Sequence, residues 1–161
     1  MIIVLMGVTG TGKTTVGRVL AADLGWTFRD GDDYHPAANI DKMRRGVPLN
    51  DDDRAPWLAA LVRLIDETVA RGENLVLACS ALKHRYQEYL RHNLAAVRYV
   101  ELWGPPELIQ KRLASRTGHF MSPTLLSSQF AILEPPADAI LVEVSGTPQE
   151  IASEIRRKLG V

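Results

Sequence analysis

The chain has 161 residues, 46% of them hydrophobic and 24% charged, which suits one domain with a core that needs no cross-links. Its 19 Lys and Arg balance 19 Asp and Glu, so no net field draws it to nucleic acid or to an anionic membrane, and any anion site must be local. The single cysteine, Cys79, excludes an internal disulfide framework and fits a reducing, cytoplasmic compartment. No apolar run approaches the roughly 20 residues that a bilayer span requires.

The opening MIIVLM has no basic segment and leads straight into a glycine loop, so Ile2–Met6 reads as a strand and not as a signal peptide. Lys13 to Leu24 follows as a helix, with Val16, Val19, Leu20 and Leu24 on one stripe and Gly25 as its stop. Thr27–Arg29 is the second strand. Pro36 to Arg45 is the second helix, with proline at its start and Gly46 beyond its end. Trp57 to Arg71 carries Leu58, Leu61, Val62, Ile65 and Val69 before Gly72. Leu75–Cys79 is the third strand and, like the first, is nearly continuous in aliphatic residues, as in strands covered on both faces. Val97–Trp103 and Ala139–Val144 supply two more strands. The last helix opens on the capping box Thr147-Pro148-Gln149-Glu150 and stops at Gly160.

Strands alternating with helices predict an α/β fold, residues 1–161 as one domain, with a parallel sheet built from right-handed βαβ units. Ligands of such sheets bind beyond the carboxyl ends of the strands. Three polar clusters fall there, at Gly7–Thr14, Asp30–His35 and Ser80–Lys83, and should converge on one crevice.

Gly7-Val8-Thr9-Gly10-Thr11-Gly12-Lys13-Thr14 matches G-x-x-x-x-G-K-[ST] in full, after a strand and opening a helix. The glycines let backbone N–H groups turn around a phosphate, and the helix N-terminus adds a positive dipole. Lys13 would reach the β and γ phosphates, and the Thr14 hydroxyl would ligate Mg²⁺. The loop predicts nucleoside triphosphate binding without naming the acceptor. No N-K-x-D guanine motif is present. A motor or AAA-type ATPase would end its third strand with an acidic metal-positioning residue, but here Ser80 follows. The acidic pair stands instead after the second strand, as suits a small-molecule kinase.

In Arg29-Asp30-Gly31-Asp32-Asp33, read as extended, Asp30 and Asp32 share a side and Asp33 points elsewhere. Facing Mg·ATP, Asp30 would orient a metal-bound water and Asp32 would take the proton of an attacking hydroxyl; a solvated acidic turn would look the same. In Asn50-Asp51-Asp52-Asp53-Arg54 the aspartates equally suit a helix N-terminus, while Arg54 could grip a substrate carboxylate in bidentate fashion. His35 could simply start a helix, and Lys42 could be a surface lysine. Cys79 reads as a small core residue. Ser80 and Lys83 stand where a helix starts over the crevice, fit for substrate oxygens or for capping. Arg112 and Arg116 share one helical face before Thr117-Gly118-His119, an arrangement for a cover whose arginines stabilise phosphoryl charge, or for a solvated basic face.

The stretches GVTGTGKTT, DGDDYHPAANIDKMRRGVPLNDDDRAPWL, CSALKHRYQEYLR and RTGHFMSPTLLSSQFAILEPP together resemble the gluconokinase family over nearly the whole chain. The phosphate loop is shared by many kinases, whereas the other blocks are specific to this family. The resemblance implies ATP-dependent phosphorylation of the 6-hydroxyl of D-gluconate, feeding the pentose phosphate or Entner–Doudoroff pathway. It implies a P-loop three-layer α/β/α sandwich like nucleoside monophosphate kinases and shikimate kinase, its five strands in the order 2-3-1-4-5, with a mobile lid over about 112–130. It also implies a cytoplasmic homodimer using ATP and Mg²⁺.

By this resemblance ATP is held by Gly7, Thr9, Gly10, Thr11, Gly12 and Lys13, with Thr14, Thr15, Arg112 and Arg116. Lys13, Asp32 and Arg116 carry catalysis, and Thr14 and (through water) Asp30 hold the metal. Asp32, His35, Arg54, Ser80, Lys83, His119 and Gln129 face the acceptor. Arg54 is the carboxylate partner, and Gln129, where shikimate kinase has an arginine, suits a polyol. Asp33 departs from the family pattern, where an apolar residue is common.

Overall fold

The computed structural model describes residues 1–92, 95–115 and 124–161, excepting the side chains of Thr124 and Leu125. Five parallel strands, β1 (Ile2–Met6), β2 (Thr27–Asp30), β3 (Leu75–Ala78), β4 (Val97–Trp103) and β5 (Ile140–Glu143), lie in the order β2-β3-β1-β4-β5. The predicted order is the observed one. Around the sheet run α1 (Lys13–Leu24), α2 (Ala37–Arg44), α3 (Asp51–Ala70), α4 (His84–Arg91), α5 (Pro106–Ala114), α6 (Thr124–Ile132) and α7 (Pro148–Leu159).

Alternation along β1 explains the three layers. Ile2, Val4 and Met6 pack with Trp57, Leu61 and Ile65 of α3 and with Tyr86 and Leu90 of α4. Ile3 and Leu5 pack on the opposite face with Val16 and Leu20 of α1 and Ile151 and Ile155 of α7. Each such aliphatic side chain, withdrawn from water, contributes about 1.5–3 kcal/mol. A third cluster, Val8, Leu82, Ile109, Leu113 and Leu126, seats α5 and α6 beside the loop that follows β1.

Two expectations are corrected. The third helix begins at Asp51 and not at Trp57, because Asn50 caps it. The Asn50 side chain accepts from the Asp53 N–H, and the Asp53 carboxylate accepts from the Asn50 N–H. Asp51 to Asp53 thus fill the first turn, where negative charge is favoured. Pro56 sits inside the helix, where it lacks the N–H that would bond to the Asp52 carbonyl. The other correction concerns β2. It ends at Asp30, and Gly31–Tyr34 is a 3₁₀ turn capped by the Asp30 carboxylate, so the alternation argument for Asp30, Asp32 and Asp33 does not apply.

Candidate active site

The phosphate loop follows β1 and delivers its backbone to the N-terminus of α1. Gly7 has φ 135°, and any side chain there would also collide with the Leu102 carbonyl. Gly10 has φ 85°, and a Cβ would press on Leu113 at 2.9 Å. Lys13 curls over the loop, its ammonium donating to the carbonyls of Gly7 at 2.9 Å and Val8 at 3.0 Å. The Thr11 hydroxyl donates to the Val8 carbonyl. The Thr9 N–H donates to Gln129 Oε1 at 2.6 Å, so Gln129 braces the loop from α6 as well as facing the acceptor cavity.

A cavity of about 310 Å³ opens on the outer side of the loop, lined by Gly10, Gly12, Thr15, Arg112, Gly146 and Pro148. Arg112 donates to the Val144 carbonyl, which holds its guanidinium beside this cavity. Arg116 and His119 lie outside the described residues, as does the centre of the expected lid. The C-terminal part of that stretch falls in helix α6, which packs through Leu126 and Phe130 onto Val8, Leu82, Ile109 and Leu113.

The second cavity, about 350 Å³, gathers Asp32, His35, Arg54, Ser80, Lys83 and Gln129, all expected on the acceptor side. It brings the chain segments after β2 and β3 to one place, as strands ending on one edge require. Burial and the neighbouring Asp30 carboxylate push the Asp32 carboxyl up to about 6, against the pull of Lys13. The Asp32 N–H meanwhile donates to Asp30 Oδ1 at 3.1 Å. Thr14 donates its hydroxyl to Asp30 Oδ2 at 2.6 Å, so the two candidate metal residues already touch. A hydroxyl that gives its hydrogen to Asp30 keeps its lone pairs for a cation. These residues therefore fit Mg²⁺ bound directly by Thr14 and through water by Asp30.

Arg54 points along the cavity wall, donating to the Leu49 carbonyl at 2.7 Å and weakly to the Tyr86 hydroxyl at 3.4 Å. Tyr86 is a hub the sequence reading missed. The cationic groups of Arg54, Lys83 and Arg85 stand 5.5, 5.7 and 5.3 Å from its ring centre, and its hydroxyl donates to Asp51. Asp51 also pairs with Arg85 and lies 3.6 Å from Lys83. The Tyr86 and Arg85 hydrogen bonds hold its carboxyl down to about 2.

Trp57 and Asn39 were likewise missed. Trp57 stacks on His35 at 4.5 Å and donates Nε1–H to the Gly31 carbonyl at 2.7 Å, pinning the turn that carries Asp32. Lys42, expected at the surface, forms an ion pair with both Asp53 oxygens, at 2.9 and 2.8 Å, and fastens α2 to the start of α3. The Cys79 thiol is fully buried, and burial raises its pKa far above neutrality, consistent with a packing role.

A glycine phosphate loop on a 2-3-1-4-5 parallel sheet, beside a cavity that pairs a basic carboxylate with cations, defines a P-loop kinase acting on a small molecule. The chain is 45% identical over 179 residues to the probable gluconokinase of Rattus norvegicus, covering 98% of this chain and 97% of that one. It is 46% identical to the gluconokinase of Gluconobacter oxydans over 96% of this chain and 89% of the relative. The chain belongs to the gluconokinase family. The crystal structure of a gluconokinase from Sinorhizobium meliloti superposes with a TM-score of 0.85 at 42% identity, covering 98% of this chain and 90% of that one. Residues 2–130 also match the AAA domain family. That match covers the phosphate-loop part of the chain, and the relatives are kinases, as the acidic pair after β2 and the Ser80 after β3 led one to expect.

Proposed function

We propose that the chain transfers the γ-phosphoryl group of ATP to the 6-hydroxyl of D-gluconate, giving ADP and 6-phosphogluconate. The observation that carries this reading is the acceptor cavity. It sets Asp32, a carboxylate of raised basicity, among the cations Arg54 and Lys83, next to a phosphate loop. A sugar acid answers both features, with its carboxylate on the cations and a hydroxyl on Asp32.

In this reading Lys13 and the loop N–H groups hold the β and γ phosphates, and the cavity beside Arg112 takes the nucleoside. Thr14, and Asp30 through a water, would hold Mg²⁺, which would supply charge neutralisation at the phosphates. Asp32 accepts the proton of the 6-hydroxyl as that oxygen bonds to the γ-phosphorus and the bond to the β-bridging oxygen breaks, releasing ADP. Arg54, with Lys83 and Ser80, orients the acid; Arg116 and His119 complete the site from the cover. The working unit is a cytoplasmic homodimer in gluconate catabolism upstream of the pentose phosphate or Entner–Doudoroff reactions. No helix among the described residues is long and apolar enough to cross a membrane.

A coupled ADP-release assay with Mg·ATP tests the reading, with no acceptor, D-gluconate or shikimate, and with the product weighed by mass spectrometry. Gluconate-dependent ADP release with a singly phosphorylated product is expected. ADP release indifferent to gluconate would reduce the protein to an ATPase, and a preference for shikimate would replace the acceptor.

A further inference from the structure

His35 and Asn39 stand four residues apart at the start of α2, and both side chains are turned inward. Asn39 is 3% exposed, and the His35 side chain 4%. The Asn39 amide is oriented without ambiguity. Its Nδ2 lies 2.8 Å from the Asp53 carbonyl, which can only accept, so nitrogen and not oxygen must face it. The same nitrogen lies 3.1 Å from His35 Nδ1. One amide hydrogen serves Asp53, and the other meets Nδ1. A hydrogen on Nδ1 would confront it, so Nδ1 must be the bare, accepting nitrogen.

We propose that Asn39 is a positioning residue that fixes His35 as the tautomer carrying its hydrogen on Nε2, so that His35 and Asp32 bracket one hydroxyl of the acceptor. Trp57 sets the plane of the ring, stacked on it at an interplanar angle of 10°. Nε2 then sits 4.0 Å from Asp32 Oδ1. That is too far for a direct hydrogen bond, yet an oxygen at about 2.8 Å from each fits between them. A hydroxyl placed there donates to Asp32 and accepts from Nε2–H. An ammonium group, with no lone pair, cannot satisfy Nε2–H. The pair therefore selects an alcohol over an amine and aims the hydroxyl hydrogen at the carboxylate. Burial and the nearby Arg54 lower the His35 pKa to about 4, so the ring stays neutral when the enzyme works.

The inference rests on Asp32 as proton acceptor, but its first test does not. Nitrogen-15 NMR of the imidazoles of the whole protein at pH 7, with His35 assigned by loss of its signals in His35→Gln, should show Nε2 protonated and Nδ1 bare. Nδ1–H in the wild type overturns the proposal, whatever any variant does. Asn39→Asp, whose carboxylate accepts, should move the hydrogen to Nδ1 and lower kcat for gluconate at least about tenfold with the KM for ATP unchanged. A moved hydrogen with unchanged kcat overturns the bracketing role. If that variant does not fold, His35→Gln decides: its amide N–H can replace Nε2–H, so it should exceed His35→Ala in kcat by about tenfold. Equal rates overturn the proposal. A folded Asp32→Ala with undiminished turnover, alongside an Nε2–H spectrum, would instead remove Asp32 as proton acceptor, and the bracket with it, leaving only the tautomer assignment.

Discussion

Thr14 and Asp30 are joined by a 2.6 Å hydrogen bond that runs from the first turn of α1 to the last residue of β2. It ties the phosphate loop to the segment carrying Asp32, and it orients the Thr14 oxygen towards a cation. Replacing Thr14 by Val removes the hydroxyl at nearly constant shape. The Mg²⁺ concentration for half-maximal ADP release should rise at least about tenfold, and Asp30→Asn should shift it in the same direction, within the 10–100-fold range of outer-sphere partners. A Mg²⁺ titration at fixed ATP reads both. Unaltered curves would place the metal elsewhere.

Asp32 must be ionised to accept a proton, and its pKa is raised to about 6. Its protonated fraction grows as pH falls, so kcat/KM for gluconate should decline below about pH 6, approaching tenfold per pH unit. Asp32→Ala should lower kcat at least about 100-fold and abolish this limb of the profile. Steady-state rates from pH 5 to 8 on the wild type and on the folded variant check both points.

Arg54 has no carboxylate partner among the residues lining its cavity wall; it donates to a carbonyl and a phenol. Its charge is thus available to a substrate anion. Arg54→Ala should raise the KM for gluconate at least about tenfold and leave the KM for ATP within about twofold, the signature of lost acceptor binding. A change in the ATP constant alone would assign Arg54 to the nucleotide.

Trp57→Phe keeps the stacked ring but removes the Nε1–H that serves the buried Gly31 carbonyl. An orphaned buried acceptor costs about 1–3 kcal/mol, readable as a lower midpoint in urea unfolding. Because Gly31 precedes Asp32, kcat should fall as well. Unchanged stability would show that the bond contributes nothing.

Much of this was legible in the chain. Ile2–Met6, Lys13–Leu24 and Val97–Trp103 have the bounds expected of them, since an unbroken aliphatic run marks the first, an apolar stripe with a glycine stop the second and a mainly apolar run the third. The residues after β2 and β3 line one acceptor cavity as the strand ends dictate, while the phosphate loop, expected in the same crevice, lines a second cavity and is joined to the first through Gln129. Tyr86 left no such trace. It reaches Asp51 across 35 residues of sequence, and nothing periodic announces a contact between α3 and α4. Asn39 resembled an ordinary helix residue until the Asp53 carbonyl gave its amide a direction. The 3₁₀ turn at Gly31–Tyr34 was hidden for a related reason, since its cap is a carboxylate already assigned to the metal.

The innermost strand is made long before its neighbours. Ile2–Met6 pairs with Leu75–Ala78 on one side and with Val97–Trp103 on the other. During synthesis its five apolar residues must wait for about 90 more, roughly 5 to 20 seconds at ordinary ribosomal speeds. Until Leu75–Ala78 is made IIVLM is an uncharged, strand-forming tongue with no ladder to join, and until Val97–Trp103 follows it has a partner on one side only. Loop closure over such separations is slow, so the fold is won late and all at once. A chain cut short before Val97 would leave one edge of IIVLM without its partner strand, the kind of apolar edge that promotes aggregation.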